Sequence, residues 1–209
     1  MAKRAQTRAP NNHVFINCPF DEEYWPLFRA IVFVIWACGY RSRFALEGNG
    51  GVLRLQRLHD IISQSDRGVH DLSRVELSDK SGMPRFNMPF EFGVAVGATV
   101  FGGPRQRQKT SLVLARRREE WHPSVSDLAG IDPVFHGDKP RVAMEAVRDF
   151  LERTPDGKLL PGVGHLWSTY EDFQRDLPAL AKEARHTLEE AYKYPSYVEF
   201  VTSFLKIAR

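Results

Sequence analysis

The chain has little of what marks several common protein classes. It has only two cysteines, Cys18 and Cys38, and their separation does not match the spacing of a metal site. A disulfide scaffold is therefore not favoured, and both thiols are expected in the core of a protein from a reducing compartment. The seven histidines are scattered, with no pair at metal-ligand spacing, so no zinc site is expected.

A membrane-spanning segment is also missing from the sequence. The apolar run from Ala30 to Cys38 is far shorter than the roughly 20 residues that a helix needs to cross a bilayer. The basic stretch at residues 1–12 is not followed by the apolar region of a signal peptide. A flexible tail over residues 1–12, a cytoplasmic location and no membrane partner are therefore expected.

Neither the charge nor the common nucleotide-binding fingerprints single out a partner. The net charge is only +3, from 29 Lys and Arg against 26 Asp and Glu, so nucleic-acid binding is permitted but not indicated. No GxGxxG follows the first predicted strand and no GxxxxGK[ST] occurs. Dinucleotide redox chemistry and NTP hydrolysis of those types are therefore unsupported. The composition, 43% hydrophobic and 26% charged, is that of a globular protein.

What the chain does have is a regular alternation of apolar runs and amphipathic segments. Strands are predicted at 13–18, 40–46, 67–71, 111–115 and, as a short one, near Val134. Helices are predicted from an N-cap at Asp21 to Cys38, over 52–63, from near Pro89 to near Gly102, and over 141–153. Strands that alternate with helices in this way pair in parallel through right-handed crossovers. The expected fold is a flavodoxin-like α/β sheet with helices on both faces and the Val14 strand central.

The predicted domain organisation has two parts. An α/β domain over 13–153 is followed by a connector rich in proline and glycine and by a C-terminal helical extension over 165–209. Apolar residues recur at helical spacing from Phe173 to Ala191, and Pro195 is expected to divide this helix from a last one at 197–207. This apolar stripe, with the aromatic residues beyond it, exceeds what one small sheet needs to cover. A homo-oligomer, or a protein partner on these helices, is therefore expected.

The chemistry is expected in the stretch 67–98, RGVHDLSRVELSDKSGMPRFNMPFEFGVAVGA. Asp71 ends the third strand, and Glu91 is expected in the first turn of the helix that follows. Ligands of open α/β sheets bind outside the carboxyl ends of the strands, so both acids are candidate catalytic residues. A partly desolvated carboxylate can act as a nucleophile or stabilise an oxocarbenium ion. The structural alternatives are a Glu favoured by the helix dipole and an Asp that caps or closes a turn.

Just before that helix the sequence offers the groups that a nucleotide needs. Arg85, Phe86 and Asn87 supply a guanidinium, an aromatic face and an amide, which suit a phosphate and a base or ribose. The alternative is a rigid turn between two prolines. If these three residues bind a ligand, a nucleotide is the ligand that they predict. The sequence does not decide between this binding site and a structural turn.

Further candidates lie at the predicted strand ends. Arg74 is a second possible phosphate ligand and Phe20 a second stacking face. His70 precedes Asp71 and should point to the opposite side of the strand, so it is interpreted as a core or supporting residue. The remaining candidate substrate-binding residues are Asn17, Asp21, Ser73 and Met88.

These segments resemble a known group of proteins. FINCPFD, GVHDLSR, RFNMPFEFGVAVGA and SDLAGID together are similar to bacterial proteins related to nucleoside 2-deoxyribosyltransferases and to Toll/interleukin-1 receptor (TIR) domains. The resemblance spans about Val14 to Leu151, and its specific part is the coupling of an HD strand end to an (N)MPFE helix. It implies that Glu91 attacks or stabilises C1′ of a sugar during N-glycosidic cleavage, and that Asp71 helps to hold the base or ribose.

The chain also departs from these relatives. The transferases supply a C-terminal Asn and carboxylate from a neighbouring subunit, whereas this chain continues into helical segments that end in LKIAR. The loop signatures of TIR domains are absent beyond the Glu. The resemblance therefore implies hydrolysis of a larger nucleotide such as NAD, as substrate rather than cofactor, in bacterial defence signalling. Two alternatives stay open, namely a non-catalytic nucleotide sensor that uses the same crevice and an oligomerising signalling module.

Overall fold

Five parallel strands form one sheet in the order β2-β1-β3-β4-β5. A computed structural model describes residues 12–45, 47, 53–74, 85–118 and 131–207. The strands are β1 (His13–Asn17), β2 (Arg41–Phe44), β3 (Arg67–Asp71), β4 (Thr110–Ala115) and β5 (Val134–Phe135). Parallel pairing is confirmed, and the strand order is that of flavodoxin-like doubly wound sheets. The middle strand is β3 rather than β1, which lies between β2 and β3.

Helices cover both faces of this sheet, as predicted. They are α1 (Trp25–Ala37), α2 (Arg54–Gln64), α3 (Asn87–Phe101), α4 (Pro140–Leu151), α5 (Val163–Glu183), α6 (Leu188–Ala191) and α7 (Tyr194–Ile207), with a 3₁₀ turn at Gln106–Gln108. The α1 and α4 helices pack together on one face, and α2 and α3 pack together on the other. Across the described ranges, none of the helices has the length and apolar character needed to cross a membrane.

The core follows from the alternation of side chains along the strands. Val14 and Ile16 of β1 point toward α1, whereas Phe15 points toward α2 and α3. The α1 helix is buried on every side from Ala30 to Ile35, because the sheet covers one side of it and the C-terminal helices another. A helix that is apolar all round needs this double covering.

The C-terminal helices therefore share the core of the sheet. Phe173, Leu177 and Tyr197 are fully buried and belong to the same apolar cluster as α1. The stripe behind the predicted homo-oligomer is thus covered within the chain itself. Self-association and a protein partner remain predictions, but the apolar stripe no longer supports them.

Two helix starts differ from the sequence prediction. Asp21 is not the N-cap of α1: its Oδ1 accepts the N–H of Tyr24 at 3.0 Å and closes a turn, and α1 begins at Trp25. The α3 helix begins at Asn87 rather than near Pro89, since a proline is tolerated within the first turn. Glu91 is therefore in the second turn of α3 and not in the first.

The break in the C-terminal helices also differs from the prediction. Pro195 does not end a helix but lies in the first turn of α7, where its missing N–H is not needed. The long helix α5 ends at Glu183, and Arg185 follows with φ 59°, in the left-handed region that stops a helix.

Several predicted features lie outside the described residues. They are residues 1–11 of the predicted tail, residues 75–84 of the stretch 67–98, and Ser126 to Gly130 of the SDLAGID motif.

Gly68 in β3 is required by the ring of His70. A Cβ at Gly68 would lie 2.3 Å from His70 Nε2, and His70 is itself held between the rings of Phe15 and Phe92. We expect Gly68→Ala to lower the free energy of unfolding by about 1–3 kcal/mol, the usual effect of overpacking a core. Urea denaturation measures this loss.

The matched control is Gly103→Ala, because a Cβ at Gly103 would meet open space and Gly103 lies outside the helices and strands. Its stability should change by less than about 0.5 kcal/mol. Equal stabilities of the two variants would show that His70 does not need the glycine beneath it.

Candidate functional site

The candidate site is the crevice at the carboxyl ends of β1 and β3. From these neighbouring strands the chain turns to opposite faces of the sheet, to α1 after β1 and toward α3 after β3. Such a switch point is where open α/β sheets bind ligands. Asn17 and Asp71 are the last residues of the two strands, and Asn17 pairs with His70 across them. We call this place the switch-point crevice.

Glu91 occupies a core position of α3. The buried residues of this helix are Met88, Glu91, Phe92 and Ala95, which lie on one face at helical spacing. Glu91 is only 4% exposed, and its Oε2 has no hydrogen-bond partner within the described residues. A buried carboxylate oxygen without a partner is costly, and packing alone would place an apolar residue there.

Arg54 lies over Glu91 at the first residue of α2. Its Nη2 is 3.8 Å from Glu91 Oε1, and its guanidinium carbon is 5.7 Å from the centre of the Phe20 ring. Burial raises the pKa of Glu91, and the charge of Arg54 offsets part of that rise. The Arg54 side chain is 56% exposed, so it covers the carboxylate from the solvent side.

Asp71 is buried on the opposite face of the sheet from Glu91. Its Oδ2 accepts the hydroxyl of Tyr24 at 2.6 Å and lies 3.0 Å from His136 Nε2, and its Oδ1 accepts the N–H of Ser73 at 2.9 Å. Burial alone would raise the pKa of Asp71, but these hydrogen bonds, led by that of His136, hold it below its ordinary value. Both oxygens of the carboxylate are thus engaged inside the protein.

Asp71, His136 and Ser73 have the composition of a nucleophilic triad but not its geometry. Ser73 Oγ and Asp71 Oδ2 both lie 3.0 Å from the same ring nitrogen, His136 Nε2. The other nitrogen, Nδ1, accepts the N–H of Asp138 at 3.0 Å, so the proton of the neutral ring is on Nε2. Nε2 then has no lone pair with which to deprotonate Ser73. This buried cluster fastens the ends of β3 and β5 to each other.

Asn17 is buried between the end of β1 and the start of α3. It is 1% exposed, and its Nδ2 donates to the Met88 carbonyl at 2.8 Å and lies 3.3 Å from His70 Nδ1. His70 points away from Asp71, as predicted, and packs on Phe92. Burial lowers the pKa of His70 to about 3, so its ring is neutral. Asn17 Oδ1 has no hydrogen-bond partner in the described part of the chain.

The two predicted phosphate ligands, Arg74 and Arg85, lie together at the rim of the crevice. Arg85 Nη1 is 2.6 Å from Asp21 Oδ2, and Arg74 Nε is 3.6 Å from Asp21 Oδ1. Arg74 also pairs with Glu23 at 2.7 Å, and its φ of 62° is unusual for a residue with a side chain. The structure therefore brings these residues into one cluster in which Asp21 holds both guanidinium groups.

The two predicted stacking residues differ in their surroundings. Phe20 is half-buried against Phe44, at 4.9 Å between ring centres, and lies beneath Arg54. Phe86 is 69% exposed, and Asn87 beside it is also exposed at the start of α3. Phe20 is thus built into the crevice, whereas Phe86 borders it.

Cys18 marks the point where the acids converge. Its thiol is fully buried just after β1. Burial and then the charges of Asp71, Glu91 and Asp21 raise the pKa of Cys18 well above its ordinary value. The negative charges of all three carboxylates therefore disfavour the thiolate of one buried cysteine at the carboxyl edge of the sheet.

No protein-family model, curated protein or solved structure matches this chain. Its function is therefore argued from the crevice.

Three residues of the site are not found by sequence reasoning. Arg54 begins the helix after β2, Tyr24 lies in the turn after β1, and His136 directly follows β5. Each comes after the carboxyl end of a strand, so the predicted strands themselves would have pointed to them. What the sequence does not show is which of these side chains turn inward.

Proposed function

We propose that the protein is an N-glycosidase that hydrolyses the bond between the base and the sugar of a nucleotide, with the nicotinamide–ribose bond of NAD as its first candidate substrate. The observation that carries this proposal is the buried Glu91 carboxylate, with one unpartnered oxygen, at the switch-point crevice. Positive charge develops on the sugar as a glycosidic bond breaks, and a fixed carboxylate at low dielectric stabilises that charge. The resemblance of RFNMPFE to the deoxyribosyltransferase and TIR relatives supports the same role for Glu91.

The other residues of the crevice take parts that suit this reaction. Phe20 offers an aromatic face beneath Arg54, the same side chain that lies over Glu91, and a base can stack there. Arg74 and Arg85 can exchange Asp21 for the phosphates of a nucleotide, and Asn87 can orient the ribose from the exposed start of α3.

Asp71 has an organising role in this proposal. Its oxygens already accept hydrogen bonds inside the protein, so it fixes the end of β3 and the turn before α1. It thereby shapes the wall of the crevice opposite Glu91 and does not contact the reacting atoms.

A non-catalytic nucleotide sensor is the second candidate, and one observation favours it. Tyr194 of α7 donates to the Ser42 carbonyl at 2.8 Å and packs on Phe44, which in turn packs on Phe20. A ligand stacked on Phe20 is thus linked through two ring contacts to the C-terminal helices. Those helices could pass the binding event to a partner in a signalling assembly.

The test that separates the two candidates is incubation of the purified chain with NAD, NADP, nucleosides and deoxynucleotides, followed by chromatography for released base. Release of nicotinamide from NAD supports the glycosidase. Binding of a nucleotide without base release replaces it with the sensor.

Replacing Arg54 should shift the acid limb of the pH profile. The charge of Arg54 opposes the rise that burial causes in the pKa of Glu91, so Arg54→Gln raises that pKa further. Since the reaction needs the ionised carboxylate, activity should be lost at a higher pH than in the wild type as the pH falls. The profile of kcat/KM, which reports the free enzyme, measures the shift.

Arg54→Lys keeps a positive charge at the same position and is the control. Its acid limb should lie closer to that of the wild type than the limb of Arg54→Gln. An unchanged limb in Arg54→Gln would mean that Arg54 does not act on Glu91.

A further inference from the structure

We infer that Glu91 Oε2 and Asn17 Oδ1 form a subsite for the hydroxyl groups of a ribose, and that this subsite makes the protein select ribonucleotides over 2′-deoxyribonucleotides. The inference rests on the proposed function, because it places the sugar of the nucleotide at Glu91. It concerns binding, however, and is tested separately from turnover.

The first support is that both oxygens are buried acceptors without donors. Glu91 is 4% exposed and Asn17 is 1% exposed, and neither Glu91 Oε2 nor Asn17 Oδ1 meets a donor among the residues described. Such unsatisfied groups are few in folded proteins, and each calls for an explanation such as strain, a bound water or ion, or a functional role.

Exchanging the oxygen and nitrogen of the Asn17 amide does not give Oδ1 a hydrogen-bond donor. Its Nδ2 carries two protons, and two acceptors face them, the Met88 carbonyl at 2.8 Å and His70 Nδ1 at 3.3 Å. His70 is neutral, so Nδ1 can accept while Nε2 carries the ring proton. The nitrogen of the Asn17 amide is therefore fixed on this side, and Oδ1 is left as an acceptor.

Asn17 contacts α3 one turn before Glu91. The Met88 carbonyl that Asn17 contacts points along α3 toward its next turn, where Glu91 lies on the same buried face of the helix. Glu91 is three positions after Met88, which is about 4.5 Å along the helix axis. Asn17 from the strand and Glu91 from the helix thus bring an amide oxygen and a carboxylate oxygen to the same end of the sheet.

This pair defines the chemistry of its ligand. A carboxylate and an amide oxygen accept hydrogen bonds, so the ligand must present donors and cannot place a phosphate here. Two hydroxyls on adjacent carbons, as at C2′ and C3′ of a ribose, meet that requirement. A hydroxyl at C2′ bound to Glu91 also puts the carboxylate beside C1′, where the proposed reaction develops its charge.

Arg54 closes this subsite in the structure. Its guanidinium lies 3.8 Å from Glu91 Oε1 and over Phe20, and more than half of its side chain is in solvent. Glu91 is buried, but the pair is long and Arg54 is exposed, so few contacts hold the Arg54 side chain in place. Turning the Arg54 side chain outward uncovers the Glu91 carboxylate for the sugar.

The test is a calorimetric titration of the purified chain at pH 7.5 with nicotinamide mononucleotide and with its 2′-deoxy analogue, which differ by one hydroxyl. We expect the ribonucleotide to bind about tenfold tighter or more, as for a hydrogen bond to a charged acceptor. Glu91→Met keeps the size of the side chain without its acceptors, and its two affinities should agree within about twofold. Glu145→Gln changes an exposed carboxylate on α4, away from the subsite, and should keep the preference of the wild type.

Equal affinities in the wild type, no measurable binding of either ligand, or a preference that survives in Glu91→Met would each overturn the subsite. Chromatography of the same samples for released nicotinamide tests the reaction independently. Base release without a ribose preference overturns the subsite alone. A ribose preference without base release from any nucleotide supports the subsite and overturns the glycosidase.

Discussion

Glu91→Gln should lose about 10² or more in the rate of base release, while its affinity for nucleotide falls by about tenfold at most, because it keeps one acceptor for the sugar. The substitution keeps the size of the side chain and one acceptor oxygen but removes the charge. Because positive charge appears on the sugar only as the bond breaks, the loss falls on the transition state and shows in kcat. The measurement is the initial rate of base release from the nucleotide that the wild type cleaves, together with a binding titration.

The same variant should fold at least as stably as the wild type at neutral pH. The folded-state pKa of Glu91 is raised, so between its ordinary value and the raised one the native protein binds more protons than the unfolded chain. Stability therefore falls as the pH rises through that window, and the uncharged Gln avoids this loss. A gain in stability together with a loss of activity is typical of an active-site residue.

Glu145→Gln is the matched control, because Glu145 is an exposed carboxylate on α4. It should change neither the rate of base release nor the stability. If Glu91→Gln releases base at the wild-type rate, the glycosidase mechanism is wrong.

Asp71→Asn should destabilise the protein by about 3–5 kcal/mol, the range for breaking one partner of a buried charged network. Tyr24, Ser73 and His136 all donate to the Asp71 carboxylate, and an amide turns two N–H donors toward groups that are themselves donors. The effect is on the fold first, because the site needs β3 and the turn before α1 in their places. Urea denaturation at neutral pH measures it.

The pH dependence of stability checks the same network. The folded-state pKa of Asp71 is lowered, so its contribution is fully present above the ordinary value of an aspartate and is lost as the pH falls through the lower, folded value. Asp71→Asn should lack this part of the acid dependence. Asp172→Asn removes an exposed ion pair with Arg175 and should cost less than about 1 kcal/mol. A similar small cost in Asp71→Asn would show that the buried network is not needed.

Much of the fold follows from the sequence because each strand is a short apolar run between turn residues. The strand at Arg67–Asp71 has the predicted bounds, although Arg67 and His70 make it less apolar than the others. The helix starts were harder to predict. Asp21 has the chemistry of an N-cap, but it closes the turn that precedes α1. Local chemistry allows both structures, and the packing of Tyr24 against Asp71 decides between them.

The candidate site was predictable in position but not in the direction of its side chains. Glu91 and Asp71 both lie at the carboxyl edge of the sheet, yet they are on opposite faces. The face of Asp71 could have been predicted, because side chains alternate along a strand. Asp71 must point the same way as Val69, toward α1. Arg54 could not be identified in the same way, because its contact with Glu91 depends on how α2 lies against α3.

Cys18 gives this crevice a built-in kinetic probe. Thiol reagents attack the thiolate, and the raised pKa and full burial of Cys18 suppress both the thiolate and access to it. Cys38, on the opposite end of α1, is buried as well, with a pKa raised to about 12. In a chain with Cys38→Ala, the rate of labelling at Cys18 therefore measures how often the carboxyl edge of the sheet opens, in the absence of any substrate and whether or not the chain is an enzyme.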